Sequence, residues 1–190
     1  LEHGDLDRYI STLQSRGYKS STVARKVASV RSFLKFLFAE GVVEPALIDD
    51  FHQPKIEKRL PRALSLTQVE QLLDAASMEE TPLGLRDRAL LEMLYATGMR
   101  ASEALSVRLR DLDLDAGTVR CLGKRSRERI LPLYPDAVTH LRRYLEEGRP
   151  FLLRDLQETA LFLNNLGQPL TRQGIWFLVQ HYAQASGLPD

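Results

Sequence analysis

From Val23 onward, apolar residues return at a steady interval: Val23, Val27, Val30, Leu34 and Leu37. Steps alternating between four and three residues draw one stripe along a helix of about 3.6 residues per turn. Arg25, Ser29, Ser32 and Lys35 fall on the opposite face. Ser20-Ser21-Thr22 offers N-caps for this helix, and Gly41 offers a stop. Ahead of it, Leu6, Tyr9, Ile10 and Leu13 mark a shorter helix from Leu6 to Ser15, closed by Gly17. Phe36 falls near the polar face of the longer helix and is expected to meet another element.

The period is then lost. Residues 52–63, with two prolines and no apolar repeat, read as a linker. Ser65-Leu-Thr-Gln68 is a capping box opening a helix through Val69, Leu72 and Leu73. Helices follow over Leu85 to Ala96, closed by Gly98, and over Ala101 to Leu109. Thr118–Leu122 and Arg127–Leu133 flank a Gly-Lys-Arg-Ser turn and predict a β-hairpin. Pro135-Asp136 starts a helix through Leu141 and Leu145, Leu161–Leu163 reads as a short strand, and Asn164–Pro169 as a turn. Thr171 caps a final helix from Arg172 to about Ala185. The expected class is mainly α with a small antiparallel sheet, in two lobes.

Composition narrows the functional classes only a little. A formal net charge of +1 neither favours nor excludes nucleic acid. The distribution of charge says more. Arg16, Lys19, Arg25, Lys26, Arg31 and Lys35 form a run without an acid between Arg16 and Ala39. Lys55, Lys58, Arg59 and Arg62 make a second basic cluster, and Arg120, Lys124, Arg125, Arg127 and Arg129 a third. Local basic stripes on a near-neutral chain suggest a directional polyanion-binding face, although any one cluster reads equally well as a solvated surface. Cys121 is the only cysteine, so no internal disulfide forms; that fits a reducing cytosol. The start carries no secretory signal pattern, and no apolar run reaches the ~20 residues of a membrane span.

Two stretches carry candidate chemistry. Tyr95-Ala-Thr-Gly-Met-Arg100-Ala-Ser-Glu103 sets an arginine at a helix start. Its fixed fork of donors suits two phosphate oxygens, and free helix N–H groups nearby would favour the same anion. The plainer reading pairs Arg100 with Glu103 or with an aspartate of residues 111–115. Gly123-Lys124-Arg125-Ser126-Arg127-Glu128-Arg129 sets a lysine in the hairpin turn. A lysine can supply a proton as well as a charge, whereas a lone turn lysine is ordinarily solvated and inert.

These stretches resemble the tyrosine recombinase (phage integrase) family, of the Xer type. The family phrase T-G-x-R-x-S-E matches residues 97–103, and G-K-x-x-K-x-R-x-x-P-L matches residues 123–133, with Arg127 where the family has lysine. The resemblance implies residues 1–51 as part of a helical core-binding domain, 52–63 as a basic linker, and 64–190 as part of the catalytic domain. The opening helices and the C-terminal portion are expected to lie outside this chain. Glu44–Asp50 departs from the Asn-Pro phrase usual in that loop. The resemblance further implies a two-lobed clamp on double-stranded DNA, a tetramer of protomers on two sites in the complete protein, no metal or other cofactor, no membrane or small-molecule substrate, and a cytoplasmic setting.

Residue by residue, it makes Arg100 and Lys124 catalytic, with Glu103 supporting. The nucleophilic tyrosine and the H-x-x-R motif are expected beyond Asp190, so the chain alone should form no covalent adduct. The expected DNA contacts are Lys19, Ser21, Thr22, Arg25, Lys58, Arg59, Arg125, Arg127, Arg129, Thr171, Arg172 and Gln173. Two look-alikes are set aside. His140-Leu-Arg-Arg143 reads as H-x-x-R but lies in the helix after the hairpin, and Tyr182 reads as a packing residue. A non-catalytic DNA-binding fragment or regulator, and a type IB topoisomerase, remain the alternatives, with an unrelated helical interaction module behind them.

Overall fold

The structure is a computed structural model that describes residues 3–45, 63–123 and 128–188. Residues 52–62 of the expected linker, with Lys58 and Arg59, lie outside the described residues, as do Lys124, Arg125 and Arg127. Backbone contacts divide the chain into two compact units, Leu1–Arg62 and Ala63–Asp190.

The first unit pairs α1 (His3–Ser15) with α2 (Ser20–Ala39). The stripe legible in the sequence is the packed one. Leu6 and Leu13 bury against Val23, Val27 and Leu34, with Tyr9, Ile10, Val30 and Leu37 partly covered. The cap is placed one residue earlier than expected. Lys19 is the N-cap, with extended backbone and no side-chain hydrogen bond. Ser20, Ser21 and Thr22 are already inside the first turn, because the Lys19 carbonyl accepts from the N–H groups of Thr22 and Val23. Phe36 meets a neighbour on its own helix: it stacks on Phe33 at 6.4 Å, and both rings stay exposed.

The second unit is built around α4 (Pro82–Thr97), which packs against α3 (Leu66–Ser77), α6 (Pro135–Arg143) and the π-helical turn Tyr144–Gly148. The Ser65 capping box forms in both directions. Ala89, Leu90 and Met93 of α4 are wholly buried. Its charged residues Arg86, Asp87 and Glu92 are also buried, which a core tolerates only when they are paired. Arg86 pairs with Asp87, whose other oxygen accepts from the Tyr182 hydroxyl. Arg88 pairs with Glu92, which also accepts from the Tyr134 hydroxyl.

Three local expectations need correction. The helix from Ala101, α5, ends at Ser106 rather than Leu109. There the backbone turns extended, because the Val107 carbonyl accepts from Leu161 N–H and Leu109 N–H donates to Thr159. A 3-10 turn, Leu109–Asp111, follows. The stretch Leu161–Leu163 forms no ladder: Leu161 and Phe162 lie in a bend, and single bridges join Ala160 to Arg108 and Leu163 to Pro169. The sheet has three antiparallel strands, not two: β1 (Leu112–Asp113), β2 (Thr118–Leu122) and β3 (Glu128–Pro132), in that order. β1 is too short to leave a periodic signal. After α6 and its π turn come α7 (Arg149–Leu152) and α8 (Arg172–Ala185). Among the described residues no helix is long and apolar enough to cross a membrane.

Candidate functional site

Arg100 is placed by how α4 ends. Gly98 closes the helix in the left-handed region at φ 59°, where an L side chain would be strained, and its N–H bonds the Leu94 carbonyl. Met99 then buries its side chain, and Arg100 becomes the N-cap of α5 with extended backbone. Arginine has no acceptor with which to cap, so Glu103, in the first turn of α5, supplies the bonds. Its Oε2 accepts from the Arg100 backbone N–H at 2.9 Å and its Oε1 from Arg100 Nη1 at 3.0 Å. The plainer reading of Arg100 was therefore right about its partner. The pair is buried on one side only: the Arg100 side chain keeps 73% of its surface while Glu103 keeps 8%.

A third charge joins from the sheet. In the antiparallel register Cys121 of β2 faces Arg129 of β3, one pair in from the last, Leu122 with Glu128. Arg129 Nη2 reaches Glu103 Oε2 at 2.9 Å and lies 3.7 Å from Cys121 Sγ. Glu103 is thus shared between two guanidiniums on different elements. Its pKa is lowered, chiefly by the Arg100 backbone N–H and then by the two arginines, so it stays ionised. The pKa of Arg129 is raised by Cys121 and Glu103, and it stays charged. The cluster is open to solvent on the arginine side and closed on the carboxylate side, a geometry that offers donors to an incoming anion.

The other expected residues are spread along the chain. Lys19, Ser21 and Arg25 are exposed and Thr22 is half-buried, all within the first unit. In the second unit Arg172 and Gln173 are exposed at the start of α8. The Thr171 hydroxyl is taken up by capping Gly174 N–H at 3.1 Å. Behind them, Trp176 and Phe177 pack edge to face at 5.1 Å and stay more than half exposed, while Ile175, Leu178 and Tyr182 face the core. The helical phase puts both aromatics on the outer face.

The look-alikes are occupied. Arg143 pairs with Glu80 and Glu147, and Tyr182 is buried on Asp87. Burial, then Arg88, lowers the pKa of His140. Among the described residues no group of His, Cys, Asp and Glu is arranged to hold a metal. Sequence reasoning missed the Arg129–Glu103 pairing and the Tyr134–Glu92 bond. Neither has a sequence signal, since the partners come from different elements.

The chain belongs to the phage integrase family: the model of that family matches residues 62–190. The model of the phage integrase N-terminal SAM-like domain matches residues 1–41. The chain is 43% identical over its full length to a tyrosine recombinase XerC of Roseiflexus castenholzii, and 41% identical over 99% of its length to a tyrosine recombinase XerD of Listeria monocytogenes. It spans 61% and 63% of those proteins. Its fold is similar to the crystal structure of XerH site-specific recombinase bound to a palindromic difH substrate, with a TM-score of 0.76 and 20% identity, covering all of this chain and 57% of that one.

Proposed function

We propose that this chain is part of an enzyme that cuts and rejoins DNA at specific sites through a 3′-phosphotyrosyl intermediate. The observation that carries the reading is Arg100, exposed yet anchored at both its backbone and its guanidinium by a buried carboxylate. Such a donor is preorganised for charge that develops on a transferring phosphoryl group. Family membership over nearly the whole chain supports the same reading.

In this account Arg100 stabilises the five-coordinate phosphorus. Lys124 protonates the departing 5′-hydroxyl. Glu103 holds Arg100. The nucleophilic tyrosine lies outside this chain in this account, and Tyr182 and Tyr134 are each engaged with a buried carboxylate. Rejoining needs no nucleotide, because the phosphotyrosyl bond conserves the energy of the broken linkage. Residues 1–51 act as a core-binding domain, 52–63 as a linker and 64–190 as part of the catalytic domain. Lys19, Ser21, Thr22, Arg25, Lys58, Arg59, Arg125 and Arg127 contact the phosphate backbone. Arg172 and Gln173 reach the duplex from α8. The complete protein assembles as a tetramer on two DNA sites, in the cytoplasm.

The test is Arg100→Ala in the form of the protein that carries the nucleophile. Cleavage of a duplex site should fall ~10²-fold or more, while affinity changes little. Equal losses of cleavage and affinity would make Arg100 a binding residue and favour a non-catalytic DNA-binding role.

A further inference from the structure

We propose that Arg129 is a positioning residue for Arg100, acting through Glu103, rather than a direct DNA anchor. The inference rests on the reading of Arg100 given above and deepens it. The charge ledger of the cluster carries the argument. Arg100 and Arg129 are two cations, Glu103 is one anion, and their bonds converge on its two oxygens. One positive charge is left over, and the open side of the cluster is the side on which Arg100 is exposed.

Without Arg129 the balance changes. Glu103, almost wholly buried, would be left with Arg100 as its one counter-charge in the cluster. A buried carboxylate pulls hardest on the partner that remains. Arg100 would then be neutralised by Glu103, and a phosphate would have to compete with that carboxylate for the guanidinium. With Arg129 present, Glu103 Oε2 is satisfied from the sheet, and only Nη1 of Arg100 is committed. The rest of the guanidinium fork is available to an anion.

The attachment of Arg129 is suited to this task. It stands on β3, directly across from Cys121, whose side chain is fully buried. Its Nη2 crosses from the sheet to α5 and meets both the Glu103 carboxylate and the Cys121 thiol. An arginine committed in this way is poorly placed to be a phosphate anchor, although nearly half of its side chain is exposed.

The experiment compares cleavage rates in the form of the protein that carries the nucleophile, with duplex affinity measured alongside. Arg129→Gln removes one cation and should slow cleavage about tenfold, less than the ~10²-fold expected for a donor lost from the phosphoryl group itself. Arg129→Lys keeps the charge and should stay near the parent rate. The deciding variant is the double substitution Arg129→Gln with Glu103→Gln. It restores the net positive charge, and glutamine still accepts the Arg100 backbone N–H at this capping position. It should therefore cleave faster than Arg129→Gln alone.

If the double variant is no faster than the single one, Arg129 does not act through the charge of Glu103, and the inference is overturned. If Arg129→Gln instead lowers affinity and cleavage together and flattens the salt dependence of binding, Arg129 is a phosphate anchor and the inference is again overturned. Arg100→Ala, run in parallel, separates this failure from the broader one. A parent-like rate for that variant would sink the assignment of Arg100 itself.

Discussion

Tyr134→Phe isolates one hydroxyl whose loss has a calculable cost. Tyr134 is the N-cap residue of α6, and its hydroxyl donates to Glu92 of α4, a carboxylate with 1% of its surface exposed. The other carboxylate oxygen of Glu92 is held by Arg88 at 2.6 Å. Phenylalanine keeps the ring, including its edge contact with Tyr95 at 6.2 Å, and deletes only the donor. Hydrogen bonds to charged groups contribute about 1.5–3 kcal/mol, and Arg88 remains to share the charge, so about 2 kcal/mol is expected. For a unit the size of Ala63–Asp190 that is roughly a 7 °C fall in Tm.

The pH dependence makes this prediction sharper. Burial raises the Glu92 pKa above its ordinary value of 4.5, with Arg88 pulling the other way. A carboxyl with a raised folded pKa binds its proton more tightly in the fold than in the unfolded chain. Its contribution to stability is therefore greatest at low pH and is lost as pH rises from about 4.5 through the folded value. The Tyr134 hydroxyl stabilises the ionised form, so the cost of removing it should be largest well above the folded value and should shrink toward pH ~4. Trp176, the only tryptophan, lies in the second unit and reports its unfolding by fluorescence without interference from the first. A cost below about 0.5 kcal/mol at neutral pH, or one that does not shrink on acidification, would refute the reasoning.

Two further outcomes can be measured on the same chain. Leu141→Ala, at a position with no exposed surface, should cost about 2–5 kcal/mol in urea unfolding. Ile130→Ala, with 72% exposure on the outer face of the sheet, should stay within ~0.5 kcal/mol, and a comparable loss at both positions would contradict the assigned core. In alkaline spectrophotometric titration Tyr144, buried with its pKa pushed up to about 12, should ionise only as the unit opens. Since its folded value is raised, its stabilising effect is complete below the unfolded value near 10 and does not fall away on the acid side; ionisation of every tyrosine together at about pH 10 in folded protein would contradict the burial.

Much of this protein is legible in its sequence. The Val23–Leu37 stripe, the Ser65–Gln68 capping box, the Gly98 stop and the Thr171 cap are local signals with local causes, and each governs its own element. The motifs around Arg100 and Lys124 likewise stand in the chain as written, and with them the family. Part of what the sequence could not settle depends on residues far apart along it, and part on the exact phase and start of a helix. α5 ends at Ser106 because Leu161 and Thr159 claim the backbone beyond it, against a helical pattern that would have run on. Lys19, not a serine, caps α2, since helix geometry places the Ser20–Thr22 hydroxyls inside the first turn. Trp176 and Phe177 are exposed because Ile175, Leu178 and Tyr182 take the inward phase of α8. Above all, only the fold brings Arg129 from the sheet and Arg100 from a helix cap to the same carboxylate, since a shared ion pair is set by distance in space and leaves no period in the sequence.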